Sequence, residues 1–146
     1  MRLVIQRVLK AKVMVKDTEK VSGQIGQGYL VLLGVKKNDD LTEAGLLAEK
    51  LTKLRVMSDK SDKMNLTLKD VGGEILLVSQ FTLYADTSAG NRPSFINAAE
   101  PKLAKEIYDH FIVCLKKSGL KVETGSFGSY MEIEATLDGP VTILYG

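Results

Sequence analysis

Two stretches of this chain, Tyr29-Leu30-Val31-Leu32-Leu33-Gly34-Val35 and Ile75-Leu76-Leu77-Val78, contain no charged or amide side chain. Runs this apolar and this short cannot present a wet face, so each reads as a strand buried on both sides, the first of them central. Gly26 and Gly28 punctuate the chain before the first run, and Gly72-Gly73 before the second. The second run passes directly into Ser79-Gln80, and polar residues ending a buried strand point to a site.

The covering layers are legible from other periodicities. Behind Asn38-Asp39-Asp40, which offers capping carboxylates, Leu41, Ala44, Leu47, Ala48, Leu51 and Leu54 recur at helical spacing with Lys50 and Lys53 turned outward. A second helix is predicted from Ala98 to Lys117, where Leu103, Ile107, Phe111 and Leu115 repeat behind Pro101, a residue suited to a first helical turn. Alternation predicts two short N-terminal strands, around Leu3 to Val8 and Val13 to Val15, joined by a turn near Leu9 to Ala11. Ser58 to Asn65 reads as a solvent loop. Beyond Gly119, strands are expected at Leu120 to Glu123, Met131 to Thr136 and Val141 to Leu144, separated by glycine-containing turns. The fold class that satisfies all of this is α/β: antiparallel and mixed sheets packed with two main helices, in one domain spanning residues 1–146.

Composition then removes several kinds of chemistry. The single histidine, His110, and the single cysteine, Cys114, stand four apart in the second helix, so a Cys-His dyad there competes with ordinary packing beside Ile107 and Phe111. One cysteine excludes an intrachain disulfide and a multi-cysteine zinc site, and suits a reducing, cytoplasmic compartment. Asp39-Asp40 and Asp59 to Asp62 sit at a helix start and in a lysine-bearing loop, positions that favour capping and solvation over metal binding. Gly23, Gly26 and Gly28 lack the Lys-Ser/Thr of a phosphate loop and precede a strand. No metal or cofactor is implied. Lys and Arg number 20 against 18 Asp and Glu, too even a balance to announce a nucleic-acid binder by charge alone. Met1 to Val8 is interrupted by Arg2, Gln6 and Arg7, so no signal peptide or membrane span is expected and the N-terminus reads as mature and soluble. What remains is a set of hydroxyls, aromatics and backbone amides at strand ends, able to stabilise an oxyanion without a titrating side chain.

Five segments carry a resemblance. Met1-Arg2 with Val4-Ile5-Gln6-Arg7-Val8, then Ser79 to Leu83, Arg92-Pro93-Ser94-Phe95, Phe127-Gly128 and Gly139-Pro140-Val141-Thr142 are similar to D-aminoacyl-tRNA deacylases, in that family's order and over essentially the whole chain. The resemblance implies a homodimer that hydrolyses the ester of D-aminoacyl-tRNA, and of glycyl-tRNA on non-cognate tRNA, with no membrane association. Ser79, Gln80, Phe81 and Thr82 would line the pocket that takes the 3′-terminal adenosine and its amino acid. Gly139 and Pro140 would enter the partner's pocket through a cis peptide and offer main-chain carbonyls to the substrate's α-amino group, rejecting L side chains. Phe127 and Met131 match positions near the adenine.

Thr82 is the hydroxyl best placed to be a nucleophile, yet no neighbour in sequence is an evident base. The alternative has the backbone N–H groups of Phe81 and Thr82 polarising the ester carbonyl while the ribose 2′-hydroxyl helps activate water. The chain departs from the family at Leu137, where an Asn usually stands, and at Ser129-Tyr130, where smaller or acidic residues are common. Reduced bracing of the Gly-Pro turn is expected from Leu137. Two other classes stay open on the residues alone: a non-catalytic nucleic-acid-binding module using Lys10, Lys12 and Lys16, and a small-molecule-binding oligomer with an interface pocket.

Overall fold

In the computed structural model, which describes residues Met1–Gly146, the apolar runs become β3 (Gly28–Gly34) and β6 (Glu74–Ser79), and they pair in parallel. β3 lies between β6 and the antiparallel β1 (Arg2–Val15), so both its faces and both its edges are covered. β7 (Lys121–Thr124) extends the sheet beyond β6, again in parallel. The order is β2-β1-β3-β6-β7, with β2 at Lys20–Ile25 and β8 (Met131–Tyr145) on the other edge of β1. Helices α1 (Leu41–Thr52) and α2 (Pro101–Lys117) pack against the larger core, which includes Tyr29, Leu33, Ala48, Leu51, Ile107 and Phe111. Leu33, Leu51, Ile107 and Phe111, fully buried, each contribute roughly 1.5–3 kcal/mol relative to exposure. A smaller core on the opposite face joins Val8, Val13 and Ile25 to Leu30, Leu76 and Val78.

Both helix starts follow the sequence signals. Asp40 accepts the Glu43 N–H at 2.8 Å as N-cap of α1, and Pro101 opens α2. Asp39 does something different from capping or solvation. Its carboxylate is buried, accepts from the α-amino group of Met1 at 2.8 Å and from the Lys36 N–H at 2.7 Å, and so ties the start of β1 to the segment entering α1.

Two expectations are corrected. No turn occurs at Leu9 to Ala11: β1 is one strand of 14 residues that changes partner, pairing β3 through Val8 and β2 from Ala11 onward. Leu9 and Lys10 are exposed at the changeover, where the pairing with β8 also slips, so the polar interruption marks a bend within a strand. Likewise, Met131 to Leu144 is not two strands parted by a turn. β8 continues through Gly139-Pro140, because Gln6 pairs with Thr142 and Val8 with Leu137, leaving Arg7 alone to face a bulge of Asp138 to Val141. The Ser58 to Asn65 loop is exposed as expected, although its ends pair as the small β4–β5 hairpin, Met57–Ser58 with Met64–Leu66.

Candidate active site

The carboxyl ends of β6 and β7 open into one cavity of about 740 Å³. Loops leaving parallel strands diverge at that end, which makes it the ordinary place for a ligand in a sheet of this kind. Ser79, Gln80 and Phe81 form one wall, Phe127 to Met131 and Ile133 another, and the chain from Phe95 and Ala98 to Pro101, with Ala104, a third. Most of the lining is apolar, and its only ionisable side chains are Glu100, exposed at the N-terminus of α2, and Tyr130.

The Ser79 wall is built by a change of backbone type. β6 ends at Ser79, the Gln80 N–H still donates to Leu33 O at 2.8 Å, and Phe81–Tyr84 then wind into a 3-10 turn. The leading amides of such a turn, those of Phe81 and Thr82, have no carbonyl one turn back to receive them. Tyr84 is buried under the turn and anchors it. Burial, reinforced by the Asp39 carboxylate, pushes its phenol up to about 12. Thr82 is exposed beside the cavity and does not line it; its Oγ1 accepts from Gln80 Nε2. The Phe81 ring meets Phe95 edge-on, with centroids 5.0 Å apart. Phe95 returns to this position through a loop closed by the reciprocal Asp86 and Ser94 bonds of 2.8 Å.

On the opposite wall, Phe127 is half-buried against Tyr108 at 5.6 Å, and Tyr108 itself donates to Leu77 O at 2.9 Å. Met131 belongs to both cavity and core: it packs on the smaller core and its Sδ accepts the Ser126 N–H at 3.2 Å. A Cβ on Gly125 would stand 2.9 Å from that sulfur, so glycine is what lets the thioether seat. His110 and Cys114 touch, Sγ to Nε2 at 3.4 Å, but neither lines the cavity.

Gly139 and Pro140 are not part of this cavity either. They sit eight residues or more along β8 from Met131, roughly 26 Å at about 3.3 Å per strand residue. Their peptide bond is cis, Gly139 has φ of 119°, a value that disfavours any side chain, and both residues are exposed. What braces the bulge is Arg7, a residue whose role the sequence reading missed. Its guanidinium is buried, pairs with the Asp138 carboxylate at 3.0 Å, and donates to Asp138 O at 3.3 Å and Val56 O at 2.8 Å. An arginine in an otherwise apolar-alternating strand was the signal available. Leu137 pairs with Val8 outside the bulge, so the bracing expected from an Asn at that position is carried instead by Arg7 and Asp138. Thr142 adds a bond to Gln6 at 2.7 Å on the far side.

The family described as D-Tyr-tRNA(Tyr) deacylase matches residues 4–146. A D-aminoacyl-tRNA deacylase of Lacticaseibacillus casei is 53% identical over 145 residues, covering 99% of this chain and 97% of that one. One of Fervidobacterium nodosum is 51% identical, covering 99% and 95%. Among solved structures, a c-Myc DNA unwinding element binding protein superposes with a TM-score of 0.92 at 37% identity, covering 100% of this chain and 98% of that one. A probable eukaryotic D-amino acid tRNA deacylase superposes at 0.86 with 15% identity, covering 99% and 97%, a likeness of fold.

Proposed function

Because this chain belongs to the D-Tyr-tRNA(Tyr) deacylase family, we propose that it hydrolyses the ester of D-aminoacyl-tRNA, releasing the free D-amino acid and the tRNA 3′ end. The observation that carries the reading is the cavity at the ends of β6 and β7, whose wall pairs aromatic surface with strand-end amides and holds no histidine or thiol. An ester is activated enough to be cleaved by polarisation and positioned water. The Phe81 and Thr82 amides polarise the carbonyl, Ser79 and Gln80 hold the substrate, and the ribose 2′-hydroxyl assists the attacking water. Thr82, bonded to Gln80 and outside the lining, fits positioning better than nucleophilic attack. Phe127 and Met131 take the terminal adenine, which stacks on the ring beside a polarisable sulfur.

Chirality is read across a homodimer. The exposed Gly139-Pro140 bulge of one protomer enters the partner's cavity and presents its carbonyls to the substrate's α-amino group. Rigid main chain beside Cα excludes an L side chain, leaves a D side chain in open space, and accepts glycine, which has none. Support comes from the separation of bulge and cavity within one chain, and from the exposed Ile133, Leu137 and Leu144 along β8, an apolar edge that a second copy would cover. No helix is long and apolar enough to cross a membrane.

The test compares matched D- and L-aminoacyl-tRNA with wild type, Thr82→Ala, and a substrate ending in 2′-deoxyadenosine. The expected result is D-selective hydrolysis that survives Thr82→Ala within about tenfold and falls at least ~100-fold on the deoxy substrate, the scale of a lost proton-transfer group. Loss with Thr82→Ala and survival on the deoxy substrate overturns the mechanism. A fully active monomer overturns the cross-subunit filter.

A further inference from the structure

Tyr130 stands at the rim of the cavity with two-thirds of its surface (67%) exposed, a large aromatic left in water. It is held there. The Lys16 N–H donates to Tyr130 O at 2.9 Å, and the Lys16 ammonium lies 4.7 Å from the ring centroid. The Ser126 and Ser129 hydroxyls bond at 2.7 Å, closing the short turn that separates Tyr130 from Phe127. Two aromatic rings therefore follow each other from inside the cavity to its mouth, fixed by one tight turn.

The nearby charges give the rim a direction. Lys12 is paired with Glu134 at 3.0 Å, and Lys105, near Phe127, is paired with Asp109. Lys16 has no carboxylate partner and its positive charge is offered to solvent over the Tyr130 ring. Glu132, farther along β8, is the carboxylate on that side, Glu134 beyond it being neutralised by Lys12. An unpaired cation beside an exposed ring suits a nucleotide, whose base stacks and whose phosphate is negative.

Resting on the reading that the terminal adenosine occupies the Phe127 end, we propose that Tyr130 and Lys16 form a subsite for the nucleotide immediately 5′ of it. Its base stacks on the Tyr130 face that Lys16 leaves open, and Lys16 meets the linking phosphate. The subsite reads length of RNA at the 3′ end without reading sequence, because every base has a stacking face.

The experiment compares 3′-D-aminoacyl-adenosine with the D-aminoacyl ester of the trinucleotide cytidylyl-cytidylyl-adenosine. Binding of unreactive adenosine and cytidylyl-adenosine is measured in parallel. In wild type the longer substrate is preferred in kcat/KM. Tyr130→Ala lowers that preference about tenfold, the scale of one base–aromatic stack, and Tyr130→Phe restores it. Lys16→Met lowers it about threefold and reduces the salt dependence of cytidylyl-adenosine binding by about one phosphate contact. Equal affinity of wild type for adenosine and cytidylyl-adenosine, or a Tyr130→Ala loss that is the same for both substrates, overturns the subsite. A wild type that prefers cytidylyl-adenosine in binding and cleaves neither ester supports the subsite and sinks the hydrolase reading.

Discussion

The strand-end wall at Ser79 to Thr82 and the Gly139-Pro140 bulge are both short polar interruptions of apolar strands, yet they are held in different ways. The first hangs from the central sheet: the Gln80 amide bonds β3, Tyr84 is buried beneath, and what it leaves free is main-chain amides and partly or fully exposed side chains. The second projects from the outermost strand and is held by one buried guanidinium reaching across from β1. A wall that is part of the sheet is redundantly supported. A bulge braced by one buried ion pair, with a single further bond from Thr142 to Gln6 beside it, has little to spare.

The largest effect should therefore come from Arg7→Ala. Asp138 loses its partner and the Val56 carbonyl its donor, at a cost of about 3 kcal/mol, the lower end for a broken buried pair because Asp138 is partly exposed. Urea unfolding midpoints measure the loss, and the D to L hydrolysis ratio should fall with it. A change below ~1 kcal/mol would mean the bulge has other support and the contrast fails. Next comes alkali. Burial pushes Tyr29, whose environment includes Arg7, and Tyr84, under the strand-end turn, up to about 12. A phenol whose folded pKa is raised stabilises the fold below its unfolded value near 10 and loses that contribution as pH climbs from ~10 through 12. Tyrosinate absorbance and loss of circular dichroism should then move together across that window. Two separated transitions would show that the two regions open independently. The smallest effect is expected for Leu137→Asn, within about 0.5 kcal/mol for the folding of a single protomer, read by urea unfolding at concentrations too low for two copies to associate, because within one chain Leu137 is an exposed strand residue outside the bulge. A larger gain would restore the amide to the bracing role that Arg7 and Asp138 hold here.

The sequence was most readable where periodicity and burial coincide. β3, β6, α1 and α2 each carry a pattern that only one environment satisfies, and their starts at Asp40 and Pro101 carry local chemistry. It was least readable where a strand changes partner. Leu9-Lys10 and Gly139-Pro140 look like turns because polar or glycine residues break the alternation, and nothing local separates a bend or bulge from a chain reversal. For the site, Ser79 to Phe81, Phe127 and Met131 do share one cavity, while Thr82 stands beside it and Gly139-Pro140 apart from it. The third wall was legible only at Phe95, within the Arg92-Pro93-Ser94-Phe95 segment; from Ala98 to Ala104 it had no signature, since alanines and a helix-opening proline gain meaning only from what they face.

The pairing of β1 with β8 has a consequence for how the protein is made. Leu3 pairs opposite Tyr145, and β8 follows β1 along nearly its whole length, so β1 leaves a ribosome well before the strand that satisfies its outer edge. The inner edge is answered sooner, by β2 and β3. Until β8 emerges, the nascent chain thus carries a half-finished sheet with one bare edge, the kind that recruits a neighbouring chain's strand as readily as its own.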